Sequence, residues 1–259
     1  MSRVTRRSLL AGGLALGAGP TAVTDAQSRN GRKRVFVLVH GAWHGGWCWE
    51  RLTERLITRG HRVYAPALSG VGERSHLAAH GINLETHIAD IVGELRWKDL
   101  THIVLLGHSY GGMVITGVAE RELPRIHAIV YLDAFLPKSG QSVNDMVGFV
   151  SGNGADPVPP LYTPEMMSVN SADREWVRSK LTPQPAATFS QKLDHSRAYD
   201  RVSVKVYIRP IDFPSAFSDA VCDPLRKDPT WQVHDMRGCG HDVMIDKPEE
   251  LAQFLEKIA

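Results

Sequence analysis

Leu105-Leu106-Gly107-His108-Ser109-Tyr110-Gly111-Gly112 decides how the rest of the chain is read. Upstream, Thr101 to Leu106 is a short apolar, β-branched run of strand length; downstream, Gly111 to Arg121 carries helical spacing. Gly-x-Ser-x-Gly between a strand and a helix predicts a nucleophile elbow. Ser109 must sit on a turn too sharp for ordinary neighbours, so Gly107 and Gly111 flank it without Cβ atoms and its Oγ projects from the end of a sheet. The helix that starts there also points amide N–H groups at the reacting centre.

Towards the N-terminus, Val35 to Val39 is a continuous apolar run ending at His40-Gly41, as a strand buried on both faces would be. Ala42-Trp43-His44-Gly45-Gly46-Trp47-Cys48-Trp49 then leads into an amphipathic helix to about Thr58, and Arg62 to Ala65 gives the next short strand. After a loop from Ala67 to Leu77, Leu84 to Trp97 shows helical periodicity, with Ile88, Ile91, Val92 and Leu95 on one face. Beyond the elbow, Ala128 to Leu132 is a strand. Val204 to Ile208, a helix from Pro214 to Arg226, Trp231 to Asp235 and a closing helix from Pro248 to Ile258 follow. Strand–helix alternation of this kind predicts a mostly parallel, doubly wound α/β sheet. Right-handed crossovers bring every strand's C-terminal end to one edge, so His40-Gly41, Ser109 and Asp133 converge where such sheets bind ligands.

Between about Pro137 and Val202 the alternation stops, in a Pro- and Gly-rich stretch with helical patches such as Ala172 to Leu181. An insertion of this length before the last two strands predicts a cap. Its Met146, Phe149, Met166, Met167, Trp176 and Phe189 are candidates either for a pocket lining or for the cap's own small core.

The 259 residues suffice for one domain from 31 to 259, and 43% hydrophobic with 22% charged residues is ordinary for a globular protein. A net charge of +2 gives no sign of nucleic-acid binding. Residues 1–30 read differently. Arg6-Arg7, a short Gly/Ala/Leu segment and small residues beyond it predict a twin-arginine export signal cut after Ala22 or Ala26. Its apolar part, about a dozen residues, is short of the roughly 20 that span a bilayer, so no stable membrane insertion is expected. The mature chain would then be exported, to the periplasm or beyond. Three cysteines permit at most one disulfide: Cys222–Cys239 is open in an oxidising compartment, but reduced core residues are the favoured reading, and the spacing fits no zinc pattern.

A Gly-x-Ser-x-Gly elbow in a parallel sheet resembles the α/β-hydrolases, whose order along the chain is nucleophile, acid, histidine. His241, on the Gly-rich turn Arg237-Gly238-Cys239-Gly240-His241 after the last strand, is the candidate base. Two acids are open. Asp133 ends the strand Ile129-Val130-Tyr131-Leu132, where a carboxylate is costly to desolvate without a partner; Asp212 follows the next strand in a turn-rich segment. The apolar setting favours Asp133, with Asp212 as the alternative. Backbone N–H groups of Ala42 and Tyr110 are the expected oxyanion donors, and His40, Trp43 and His44 the expected pocket border, with His40 expected to orient its loop rather than to react.

Val37 to Trp49, Gly107 to Gly112 and Gly240-His241 resemble the plant methylesterase and hydroxynitrile lyase group of α/β-hydrolases. Gly72-Glu73-Arg74-Ser75-His76-Leu77 and Tyr131-Leu132-Asp133-Ala134-Phe135 are similar to bacterial carbendazim-hydrolase-like esterases. The acid position at Asp133 is also similar to that of some haloalkane dehalogenases, which carry an aspartate where this chain has Ser109. Hydroxynitrile lyases of the group have a lysine directly after the histidine, where this chain has Asp242. The resemblance implies a serine carboxylic-ester hydrolase acting through an acyl-enzyme on a small, partly apolar or aromatic ester, with no metal or organic cofactor. Amide or carbamate hydrolysis by the same triad, cyanohydrin cleavage, and ligand binding with little turnover are the alternatives.

Overall fold

Strands β1 (Val35–Val39), β2 (Arg62–Tyr64), β3 (Ile103–His108), β4 (Ile126–Leu132), β5 (Val204–Pro210) and β6 (Trp231–Met236) form one sheet in the order β2-β1-β3-β4-β5-β6. Every neighbouring pair is parallel. The computed structural model describes residues 33–78, 81–148 and 157–258, so the expected export signal and Phe149 of the cap lie outside the described residues.

The period-two pattern of buried strand residues separates two apolar layers. Val37, Val39, Leu105, Ile129, Tyr131 and Tyr207 pack on one face with helices α2 (Leu84–Trp97) and α3 (Gly111–Glu122). Phe36, Leu38, Val104, Leu106, Val130 and Val206 pack on the other with α1 (Glu50–Thr58) and the helix Pro248–Ile258. Burial on both faces is why these strands read as unbroken apolar runs. Asn83 starts α2 by accepting from the Thr86 amide, closing a capping box.

Two element boundaries differ from expectation for local reasons. β3 reaches His108 because Val39 and Tyr131 flank Gly107 across the sheet, which places Ser109 directly at the strand's end. The helix expected from Pro214 begins at Ala216 because the Ser215 hydroxyl caps it, accepting from the Ser218 amide. The segment between β4 and β5 holds the short helices Val143–Val147, Arg174–Lys180 and Ala187–Ser190 and two isolated bridges, Gln141 with Leu193 and Val158 with Gln184. No described helix is long and apolar enough to cross a membrane. Cys48, Cys222 and Cys239 are free and buried, so the Cys222–Cys239 bridge is not made. Burial pushes the thiols of Cys222 and Cys239 up to about 12.

Candidate active site

Three non-glycine residues at the C-terminal edge of the sheet hold positive φ: Trp43 at 63°, Ser109 at 53° and Asp133 at 43°. Each such conformation costs on the order of 1 kcal/mol or more and persists where surrounding bonds impose it. At Ser109 those bonds are explicit. Its amide donates to the Leu132 carbonyl (3.2 Å), and its own carbonyl accepts from Gly112 (3.0 Å) and Phe135 (3.0 Å). A Cβ on Gly107 would lie 2.6 Å from the Gly111 carbonyl oxygen, and one on Gly111 2.6 Å from that of Val39, so both glycines of the elbow are required by close approach.

His241 Nδ1 lies 2.6 Å from Asp133 Oδ2, and Asp133 is buried beneath it. The Asp133 amide donates to Ile208 (2.8 Å), which fixes the carboxylate at the end of β4. Asp212, the alternative acid, is elsewhere: its Oδ2 accepts from the Gly238 amide (2.7 Å) and its side chain is half-exposed beside Arg237. It ties down the turn before His241 and does not reach the imidazole. Behind Asp133, the buried Arg209 guanidinium donates to Asp219 and to the Pro210 carbonyl, with Nη1 3.9 Å from Asp133 Oδ1.

Ser109, Asp133 and His241 border a single cavity of about 360 Å³. Aromatic residues in its wall are Trp43, Phe135, Tyr162, Phe189, Phe213 and Phe217, with Phe213 packed 5.3 Å from the His241 ring. Ala42 and His44 also border it, and among the described residues no turn, loop or cap hydrogen bond uses the Ala42 or Tyr110 amide.

His40 is a correction to the expected pocket border. It is wholly buried outside the cavity, donating from Nδ1 to the Gly41 carbonyl (2.8 Å) and accepting at Nε2 from the Leu68 amide (3.0 Å). That bonding needs a neutral ring, and burial holds it down at about 3. Of the cap residues, Met167 and Phe189 do line the cavity. Met146 instead packs into the core, Met166 is exposed, and Trp176 packs edge-on against Trp47.

The cap reaches the loops of both Trp43 and His241. Trp43 donates from its amide to Gln184 Oε1 (2.9 Å) and from its indole to the Val158 carbonyl (3.1 Å), while its carbonyl accepts from Thr182 (3.0 Å). The His241 amide donates to the Met167 carbonyl (2.9 Å). Gln184, flanked by prolines in Pro183-Gln184-Pro185, gave no sequence signal for this role. Gln184→Ala is expected to leave the buried Trp43 N–H unpaired and to cost about 1–3 kcal/mol, read as a lowered urea midpoint at unchanged slope.

Buried histidines also set the protein's acid sensitivity. Burial holds His87 down at about 4, as it does His40 at about 3, and pushes His108 well below the ordinary range. All three fold neutral, so below about pH 6.5 the unfolded chain binds protons that the folded chain does not. Each withdraws about 1.4 kcal/mol of stability per pH unit between 6.5 and its folded value. His44 runs the other way: its raised value means that its contribution is full below about pH 6.5 and lost as pH rises through the folded value. Urea midpoints are expected to fall steeply from pH 6.5 to about 4.5; a flat profile there would mean that these rings enter the fold charged.

The sequence model of the alpha/beta hydrolase family matches residues 36–254. The chain belongs to that family. This hydrolase is 40% identical over 241 residues to the carbendazim hydrolyzing esterase of Nocardioides sp. (strain SG-4G), covering 85% of this chain and 97% of that relative. It is 26% identical over 272 residues to methyl jasmonate esterase 1 of Vitis vinifera, covering 88% and 97%. Among solved structures, an extracellular alpha/beta-hydrolase from a Paenibacillus species, described as sharing structural and functional homology with tobacco salicylic acid binding protein 2, superposes with a TM-score of 0.71. That structure is 25% identical, with 87% of this chain and 99% of that one covered. Esterases are thus among the relatives of this hydrolase, and its open parallel sheet is that of the family.

Proposed function

We propose that this hydrolase cleaves carboxylic esters of small, apolar or aromatic molecules, with Ser109 as nucleophile, His241 as base and Asp133 as the orienting acid. The observation that carries the reading is the 2.6 Å contact between His241 Nδ1 and Asp133, in a cavity that Ser109 shares from its strained turn. Asp133 fixes the tautomer in which His241 Nδ1 is protonated and Nε2 is free to take the Ser109 proton. Ser109 Oγ then adds to the ester carbon, and the negative oxygen is received by the amides of Ala42 and Tyr110. Collapse expels the alcohol, which takes the proton from His241 and leaves an acyl-enzyme. Water, deprotonated by the same imidazole, repeats the addition and releases the acid.

Hydrolysis of p-nitrophenyl esters from acetate to dodecanoate tests the reading, with carbendazim beside them because a 40%-identical relative is named for hydrolysing it. The aromatic wall and the cavity of about 360 Å³ favour short or aromatic acyl groups over long chains. No turnover on any ester would sink the reading. Cyanohydrin cleavage finds no support at position 242, where Asp242 is wholly buried and paired with His44, so no ammonium group stands beside His241. Export through the twin-arginine segment of residues 1–30 is part of the same proposal; intact-mass measurement of the secreted protein would locate the cut after Ala22, after Ala26, or nowhere.

A further inference from the structure

We propose that His44 and Asp242 form a buried ionic strut that sets the distance between the oxyanion loop and the histidine loop, making both of them positioning residues for acyl transfer. The inference rests on the serine-hydrolase reading above. The two loops have no sheet contact with each other: β1 and β6 are separated by β3, β4 and β5. Yet His44 stands two residues after Ala42 and Asp242 one residue after His241, and His44 Nε2 meets Asp242 Oδ2 at 3.2 Å. Both side chains are removed from solvent, at 2% and 0% exposure.

The ring's bonding fixes its charge. His44 Nδ1 faces the Ala42 carbonyl at 2.7 Å and Nε2 faces the carboxylate, and neither partner has a proton to give. Only a ring protonated on both nitrogens satisfies both. Burial opposes that charge, but the Asp242 carboxylate overrides it and raises the imidazole above its ordinary value. The other groups facing the pair are compatible with this state. His108 stands edge-on to His44 at 5.9 Å and is kept neutral by burial, with its Nε2 donating to the His241 carbonyl at 3.1 Å and lying 3.7 Å from Asp242 Oδ1. His40, on the same loop, is neutral, and Trp47 stacks on the His44 ring at 5.3 Å.

The strut acts on the reacting centre through one peptide unit. The Ala42–Trp43 peptide is held at its oxygen by His44 Nδ1 and at its nitrogen by Gln184, while the preceding Gly41–Ala42 peptide, which carries the Ala42 N–H, is held at its oxygen by His40 Nδ1. At the other end, His44 holds Asp242, the residue next to His241, and the His241 carbonyl accepts from His108. Neither His44 nor Asp242 takes part in the proton transfers assigned to the triad. A charged pair in a wholly buried place is a poor source of stability compared with apolar residues of the same size, and a fixed geometry is what it supplies.

Two measurements test this. In ¹⁵N-labelled wild-type protein, long-range ¹H–¹⁵N spectra of the histidine side chains are expected to show His44 protonated on both nitrogens at pH 7. The phosphonylation rate of Ser109 by a fluorophosphonate, and kcat and KM on a p-nitrophenyl ester, are then compared in Asp242→Asn and His44→Gln. Misplacing the Ala42 donor and the His241 ring is expected to slow phosphonylation and kcat about 10- to 100-fold, with KM nearly unchanged. In the double variant the loss should be no larger than in either single one, because a strut is lost only once. If one variant fails to fold, the other is read in the same way. A singly protonated His44 at pH 7, or a folded variant that is phosphonylated at the wild-type rate, overturns the proposal. Absence of Ser109 labelling in the wild type would instead sink the serine-hydrolase reading, and a doubly protonated His44 in that protein would reduce the strut to a structural pair.

Discussion

Replacing Ser109 by alanine is expected to lower ester turnover by about 10⁴- to 10⁶-fold while the protein folds as before. The fold should survive because what holds the elbow is backbone: the Leu132 carbonyl accepts from the Ser109 amide, and Gly112 and Phe135 donate to its carbonyl. Only Oγ is lost, from a side chain that borders the cavity. Residual hydrolysis would reflect substrate binding and the Ala42 and Tyr110 amides, which the substitution leaves in place. Comparing kcat with circular dichroism of the same sample checks both halves of the expectation. A loss below tenfold would mean that the reaction does not pass through Ser109.

The second large effect separates the two aspartates. Asp133→Asn is expected to cost about 10⁴-fold in kcat, because an amide placed 2.6 Å from His241 Nδ1 can turn its NH₂ towards that nitrogen and favour the wrong tautomer. It would also remove the carboxylate that faces the buried Arg209. Asp212→Asn keeps an acceptor for the Gly238 amide on a half-exposed side chain, so kcat is expected to stay within about threefold of wild type. Parallel kcat measurements on one ester decide the matter, and the reverse ranking would move the acid to position 212.

The elbow was legible because it is a local problem. Gly107 is required by a 2.6 Å approach to Gly111 within the turn itself, and the flanking strand and helix announce themselves by period; the matching 2.6 Å approach of Gly111 is to Val39 of β1. Asp133 could be favoured from its apolar neighbours, yet choosing it over Asp212 needed the position of His241, which is 108 residues away along the chain. His40 shows the opposite limit. A histidine at a strand end beside the site is expected at the pocket border and as an orienting group for its loop, and its two backbone partners leave it the second role. The cap was the least legible part. Whether Met146, Met166 or Met167 faces the cavity depends on turns that carry no periodic pattern, and Gln184 looks like any polar residue between prolines.

The bonds from the cap to Trp43 and His241 bear on how such an enzyme can acquire new substrates. In a modular scaffold the cap would be exchanged freely while the chemistry stayed intact. Here a transplanted cap would have to bring its own acceptors where the Val158 carbonyl, Gln184 Oε1 and the Met167 carbonyl now stand, or catalysis would loosen as the pocket changed. Substrate range in this protein is therefore more readily altered by side-chain exchange within the existing cap, at positions such as Leu161, Tyr162 and Phe189, than by wholesale grafting.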